Sequence, residues 1–171
     1  MPVKIPTTAA LTQLTPAEKR VAALLVTGAS NLQGAQSLGM STSTYAGHLG
    51  SISRKFQITS RVGRPARAHA VLASGQVAPP PAPAQAPEFT LGERRLLRAL
   101  AEHPETHDIA RAARVPEAEV RPWIRALVAK AGADNDTHLV GLGHAWGLLG
   151  ARGGESASSD DAPNETGGAA R

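Results

Sequence analysis

One pattern that occurs twice, 75 residues apart, constrains the fold of this 171-residue chain more than any other feature. Thr15-Pro-Ala-Glu18 and Thr90-Leu-Gly-Glu93 both place a Glu three residues after a Thr. At this spacing the two residues form a capping box, in which each side chain accepts a hydrogen bond from the other residue's backbone N–H at the start of a helix. The first box also has Pro at the first helical position, where it is favoured. The chain is therefore predicted to contain two helical units that begin alike.

The apolar residues behind the two boxes repeat in the same register, without a gap. They recur at helical spacing in both units. The matching pairs are Val21 with Leu96, Leu24 with Ala99, Leu25 with Leu100, Ala35 with Ala110, Met40 with Val115, Tyr45 with Val120, Leu49 with Ile124, Ile52 with Leu127 and Lys55 with Lys130. A chance alignment would rarely keep both caps and core, so we interpret the units as copies of each other.

Turn and cap residues divide the first unit into four helices. Gly28 suits the left-handed end of the first helix. Ser30 and Gln33 form another capping box, which opens a short helix to Leu38. Gly39 then turns the chain, and Ser41 caps a longer helix to about residue 56 with Tyr45, Leu49, Ile52 and Phe56 on its inner face. A fourth helix is predicted over about residues 65–74. A short helix, a Gly turn and a longer helix predict a helix-turn-helix, and the whole chain is predicted to be all-α.

Composition separates the two units from the rest of the chain. Residues 1–13 are predicted to be a flexible arm, and residues 150–171 a disordered tail with almost nothing to bury. Between the units, five prolines lie within residues 76–88. Residues 76–88 are therefore predicted to form a semi-rigid spacer of roughly 40 Å. The Pro-rich linker proper, residues 78–88, separates the two domains, residues 14–77 and 89–149.

Charge distinguishes the two domains. Residues 14–77 carry seven Lys and Arg against one acidic residue, whereas residues 89–149 carry eight of each sign. The first domain therefore has the balance of a nucleic-acid-binding surface. The chain has no cysteine and only 3% aromatic residues, which argues against disulfides and against a stacked-aromatic platform for single strands. No apolar run is long enough to cross a membrane, so we expect a cytoplasmic protein without membrane contact.

Catalytic and metal-binding patterns are not evident. His103 and His107 have the spacing of a metal pair, but Pro104 intervenes and no third ligand is apparent. The chain has no nucleophile elbow and no Gly-rich phosphate loop after a strand. We expect no metal site, no cofactor and no enzymatic activity.

One set of residues in the first domain forms a family pattern: Leu14-Thr15-Pro16-x-Glu18, Val21, Leu24-Leu25, Gly28-x-Ser30-Asn31, Ala35, Leu38-Gly39-Met40-Ser41, Thr44, His48-Leu49, Ile52, Lys55-Phe56 and Arg61. With it, residues 14–77 resemble the LuxR/NarL/FixJ-type (GerE-like) helix-turn-helix domain of bacterial transcription regulators, and residues 89–149 resemble it more loosely. The resemblance implies four helices, of which the third enters the major groove of double-stranded DNA and the fourth often dimerises. Because about thirteen residues precede the first domain, no upstream sensor domain is expected.

The family's base-reading positions correspond to Ala46, Gly47 and Gly50, none of which can form a bidentate base contact. Either the small face lets the helix backbone approach DNA closely, or sequence-specific readout has decayed. The side chains predicted to bind DNA are therefore phosphate-contacting ones: Ser41, Thr42, Ser43, Thr44, His48, Arg54, Lys55 and Arg61.

In the second domain, Arg121 and Arg125 stand at the places of Ala46 and Gly50 and predict a second DNA contact. The alternative is a solvated helix face on which these arginines pair with Glu117 and Glu119. Pro122 is expected to kink this helix. The last helix carries an apolar stripe, Leu139, Leu142, Trp146 and Leu149, that packs inward or against a partner copy. The residues predicted for an interface are Trp123, Leu142 and Trp146.

Together these features predict a bacterial DNA-binding transcriptional regulator without a sensor domain. Its first unit contacts the duplex, and its second unit aids dimerisation or makes a second contact. Two alternatives stay open: a protein-interaction adaptor on a decayed helix-turn-helix fold, and a nonspecific nucleoid-associated protein.

Overall fold

Helices account for all the regular structure in the computed structural model, which describes residues 13–59 and 61–150. The described residues form eight helices and no strands, so the all-α prediction is confirmed for them. The helices are α1 (Pro16–Val26), α2 (Asn31–Leu38), α3 (Thr42–Lys55), α4 (Arg64–Ala73), α5 (Leu91–Glu102), α6 (Thr106–Ala113), α7 (Glu117–Ala131) and α8 (Asp136–Ala145). Nearly all of the predicted arm and tail, residues 1–12 and 151–171, lies outside the described residues. None of the described helices is long and apolar enough to cross a membrane.

The predicted caps start and end the helices as expected. Capping boxes at Thr15, Ser30 and Thr90 are each complete, with both reciprocal hydrogen bonds. Gly28 and Gly39 have φ of +81° and +64°, a left-handed conformation that glycine adopts without steric cost. Local signals therefore fixed the first three helices to within one or two residues.

Each half of the chain has its own apolar core. The first half, α1–α4, buries Val21, Leu25, Tyr45, Ile52 and Val71 among others. The second half, α5–α8, has a separate cluster built around residues such as Leu96, Leu97, Leu127, Leu139 and Val140. Two cores of this kind indicate that most hydrophobic stabilisation is internal to each half.

An ion pair ties the first helix of each half to the end of the third. Lys55 Nζ lies 2.6 Å from Glu18 Oε2, and Lys130 Nζ lies 2.7 Å from Glu93 Oε2. Burial raises the pKa of Glu18, but the bonds from Lys55 and Thr15 outweigh burial and hold this pKa below its usual value. The hydrogen bond from Lys130 lowers the pKa of Glu93 in the same way. In both halves the cap glutamate thus also anchors the third helix.

The two halves pack against each other, so the prediction that the linker separates them is wrong. Helix α8 contacts α4 and α1, and α4 also contacts α5. The approach is close, since a Cβ placed on Gly141 would lie 2.4 Å from the backbone oxygen of Val26. The linker lies along α8: Pro80 is buried next to Gly141, and Trp146 Nε1 donates a 3.0 Å hydrogen bond to the Pro83 oxygen. Composition predicted the linker's extended character but not the surface that it covers.

A pair of histidines lies in this contact. His69 Nδ1 is 2.9 Å from His144 Nε2, so one nitrogen donates to the other and the accepting ring is neutral. Burial lowers the pKa of His69, although Glu102 opposes the shift. Burial, reinforced by His69, lowers the pKa of His144 to about 4. The packed arrangement therefore favours two uncharged rings.

Acidification from about pH 7 to about pH 4.5 is expected to lower the free energy of unfolding through this pair. The unfolded chain binds a proton at His144 near pH 6.5, whereas the folded chain does so only near pH 4. The stabilisation is thus complete above about pH 6.5 and declines as the pH falls toward 4. Replacing His144→Gln should remove about 2 kcal/mol of the decline, allowing for partial solvent screening. Urea unfolding at the two pH values measures the difference.

His107→Gln provides the matched control, because His107 is an exposed histidine of α6 outside the contact. This control should keep the pH dependence of the unaltered chain. Glu18 and Glu93, whose pKa values are lowered, lose their contribution only below about pH 4.5 and so fall outside the window. An identical decline in the unaltered chain and in His144→Gln would contradict the prediction.

Candidate nucleic-acid interface

Helices α2 and α3 and the turn between them form a helix-turn-helix. Gly39 ends α2 in the left-handed conformation, and the Met40 N–H donates a 3.0 Å hydrogen bond to the Ala35 oxygen. Ser41 then caps α3, where its Oγ accepts a 3.1 Å bond from the Thr44 N–H. The turn is therefore closed by backbone and cap hydrogen bonds at both ends.

The orientation of α3 follows from its buried face. Tyr45, Leu49 and Ile52 point into the first core, and the Tyr45 hydroxyl donates to the Val21 oxygen at 3.3 Å. The opposite face is open: nothing lies within 4 Å of a Cβ placed on Gly47 or Gly50. The base-reading positions inferred from the resemblance thus lie on an unobstructed surface.

The first turn of α3 suits a phosphate group. Residues 41–44 are exposed, and the Ser41 hydroxyl lies 3.0 Å from that of Ser43 and 2.8 Å from that of Thr44. This turn contains no acidic residue, so no carboxylate within it opposes the partial positive charge that the helix start offers to an anion. By contrast, α7 has Glu117 and Glu119 in its first turn and no side-chain cap. Of these two described helix starts, that of α3 is the one that favours phosphate.

The basic residues predicted to bind DNA differ in their exposure and in their hydrogen-bond partners within the chain. Arg54 is exposed and its guanidinium donates to the Ser51 hydroxyl at 3.0 Å, Arg61 is exposed, and His48 is partly buried on α3. Lys55, however, donates to Glu18 and, at 3.1 Å, to the Gln13 oxygen. Its charge is balanced inside the chain, which makes Lys55 a link between α1 and α3.

Sequence reasoning missed a structural role for Arg64. Its Nη1 donates to Asn31 Oδ1 at 2.7 Å, and its Nη2 donates to the Ala29 oxygen. These bonds hold the start of α4 against the start of α2. A pattern of residues along the chain carries no signal for this contact, because the two partners are 33 residues apart.

In the second half, Arg121 and Arg125 are exposed on α7. Within residues 13–59 and 61–150 neither forms an ion pair, so the alternative in which they pair with Glu117 and Glu119 is not observed. Both arginines line a cleft of about 320 Å³ beside the start of α4. Helix α7 continues through Pro122.

The predicted interface residues separate into one exposed and two internal side chains. Trp123 is 43% exposed on α7. Leu142 is 2% exposed and Trp146 packs on Phe89 with ring centroids 6.0 Å apart, so both are used within the chain. The apolar stripe of α8 and of the residues that follow it packs inward, since Leu139 and Leu149 belong to the second core and Trp146 packs against it.

The helix-turn-helix and the residues around it were compared with protein families. Residues 12–64 match the family of bacterial regulatory proteins named luxR, or GerE. The match covers about a third of the chain, from before α1 to the first residue of α4. Comparisons with curated proteins and with solved structures gave no match. The luxR match supports a DNA-binding transcriptional regulator and points away from catalysis.

Other chemistry was sought in the part of the chain around this luxR-type segment. In the described residues, no three His, Asp or Glu side chains lie together as a metal site would require. His107, one of the two candidate ligands, instead lies 3.2 Å from Asp108 and 3.6 Å from Glu105. The open face of α3 is therefore the candidate site that the luxR match and the geometry share.

Proposed function

We propose that this protein is a bacterial, cytoplasmic transcription regulator that binds double-stranded DNA through the open face of α3. The observation that carries the proposal is the acid-free, hydroxyl-rich first turn of α3 within the segment that matches the luxR family. The contacting side chains are Ser41, Thr42, Ser43, Thr44, His48, Arg54 and Arg61. Lys55 acts indirectly, by holding α3 against α1.

We further propose that the second half is a divergent copy of the first, so that the domains are residues 14–77 and 89–149. Support comes from the two ion pairs, Glu18–Lys55 and Glu93–Lys130. Glu93 follows Glu18, and Lys130 follows Lys55, by 75 residues. Gly39 and Arg114, also 75 residues apart, are both left-handed, with φ of +64° and +60°. A non-glycine residue adopts this conformation at a cost, which is easier to understand if the turn is inherited.

DNA binding is expected to weaken when two exposed guanidinium groups of the first half are removed. Arg54→Ala and Arg61→Ala should each lower duplex affinity about 3- to 10-fold and reduce the slope of log affinity against log salt by about 1. If four to six phosphates are contacted, the unaltered chain should have a slope of roughly −4 to −5. Fluorescence anisotropy with a labelled duplex at several salt concentrations measures both quantities.

Arg98→Ala serves as the control, because Arg98 is exposed on α5 in the second half. It should bind like the unaltered chain. The absence of any duplex binding at low salt would contradict the proposal and favour the adaptor alternative, for which exposed Trp123 offers the contact. Equal affinity for all sequences would favour the nucleoid-associated alternative.

The same binding assay separates the two interpretations of the small α3 face. If Gly47 lets the helix backbone approach DNA, Gly47→Ala should weaken binding although its Cβ meets nothing within 4 Å in the free protein. If specific readout has decayed, Gly47→Ala should leave affinity unchanged.

A further inference from the structure

The contact between the halves has a regularity that two unrelated domains would not need. His69 and His144 touch each other, and they are 75 residues apart. If the halves are copies, these histidines occupy the same position in each. In an isologous dimer, a residue on the two-fold axis contacts its own copy in the same way.

Contacts away from this point occur in reciprocal pairs. Gly141 packs on the Val26 oxygen. The position equivalent to Gly141 is Ala66 and that equivalent to Val26 is Ala101, and these two residues line one cleft together. A Cβ on Gly28 would lie 2.9 Å from His138 Cβ. The positions equivalent to Gly28 and His138 are His103 and Gly63, which line a second shared cleft.

The contacts between whole helices also occur in reciprocal pairs. Helix α4 packs on α8, which is its equivalent, and the contact of α1 with α8 has its counterpart in the contact of α5 with α4. The two sides are not equally closed. On one side Gly141 lies so close to Val26 that an added Cβ would overlap the Val26 oxygen, whereas the other side retains clefts of about 320 and 410 Å³. The contacts thus pair equivalent positions, as two-fold symmetry would, but one side of the contact is packed more tightly than the other.

We infer that the halves are arranged about a pseudo-two-fold axis between His69 and His144, so that the second half takes the place of a partner subunit. The inference rests on the proposal that the halves are copies. In this arrangement α3 and α7 are the two equivalent DNA-contacting helices of a single chain. The partner that fits is one DNA duplex with two unlike half-sites, because α3 offers hydroxyls and Arg54 where α7 offers Arg121 and Arg125.

Engineered cysteines test the axis directly, since the natural chain contains none. The His69→Cys, His144→Cys double variant, treated with a short bifunctional maleimide, should become cross-linked within one chain and keep the mobility of a monomer. Each single variant should yield no cross-linked dimers. The double variant His107→Cys, His144→Cys is the control, because His107 is exposed on α6, and it should not cross-link. Cross-links between chains, or none in the His69, His144 variant, would overturn the inference.

Sedimentation of the unaltered chain provides a measurement that does not depend on the variants folding. We expect a species of 17.6 kDa and one chain per duplex. Two chains per duplex would overturn the internal pair and leave DNA binding standing. Cross-linking within the chain without duplex binding would support the arrangement and contradict the proposed function. A footprint with two unlike halves, about one helical turn apart, is expected on a selected site.

Discussion

Replacing Gly141→Ala is expected to lower the free energy of unfolding by about 2–4 kcal/mol, although Ala is the better helix former by about 1 kcal/mol. The added Cβ would meet the Val26 oxygen at 2.4 Å and Pro80 Cγ at 2.8 Å. A backbone oxygen cannot rotate away as a side chain can. Helix α8 must therefore move off α1 and the linker, and contacts between the halves are lost.

Ala66→Val is the matched control for this change, because Ala66 is the counterpart of Gly141 in the proposed pseudo-two-fold arrangement. Ala66 lines both clefts, so added methyl groups have room, and the cost should stay within about 0.5 kcal/mol. Urea unfolding measures the stabilities, and amide hydrogen exchange of α1 and α8 shows whether the loss is local to the contact. A Gly141→Ala variant as stable as the unaltered chain would show that the halves are not held this closely.

Gly34→Ala is expected to destabilise the first half by about 2 kcal/mol, because overpacking a rigid core outweighs the helix propensity gained. Its Cβ would lie 2.4 Å from ring atoms of Tyr45, whose side chain is 0% exposed. If the second half is a copy of the first, the equivalent positions are those of Ile109 and Val120, both buried in the second core. Ile109 is larger than Gly34, and Val120 is smaller than Tyr45. The proposed repeat therefore predicts that a smaller side chain at position 45 makes room for a larger side chain at position 34.

A double-mutant cycle tests whether a smaller side chain at position 45 compensates for a larger one at position 34. Tyr45→Val alone should cost about 3 kcal/mol, because it leaves a cavity and removes the hydrogen bond to the Val21 oxygen. The Gly34→Ala, Tyr45→Val variant should be more stable than the sum of the two changes by at least about 1 kcal/mol. Gly50→Ala, on the open face of α3, is the control and should stabilise the chain by about 0.5–1 kcal/mol. Strict additivity in the cycle would contradict this compensation.

Much of the fold was predictable because its signals are local. The Thr15 and Ser30 boxes, Gly39 and the Ser41 cap each act within a few residues, and they set the bounds of α1, α2 and α3. The inner face of α3 followed from the spacing of its apolar residues. For the same reason the sequence predicted where α3 begins and that its first turn is rich in hydroxyl groups, since this turn is defined by its own residues.

The errors arose where distant residues meet. Lys55 has the charge to bind phosphate, but its partner Glu18 lies on another helix, so its use inside the chain is visible only in three dimensions. Leu142 belongs to an apolar stripe that would equally suit a partner copy, and only the packing of α8 shows that the stripe is covered internally. Proline content predicted an extended linker, yet it carries no information on whether the joined domains touch.

Because a linker joins the two packed halves, the fraction of halves that are paired does not depend on the protein concentration. Two separate subunits held by such a contact would dissociate on sufficient dilution, and their paired fraction would rise and fall with the amount of protein. Two halves on a short tether meet at an effective concentration of about millimolar, whatever the abundance of the chain. The pairing of these halves is therefore set by the sequence and not by the level of expression.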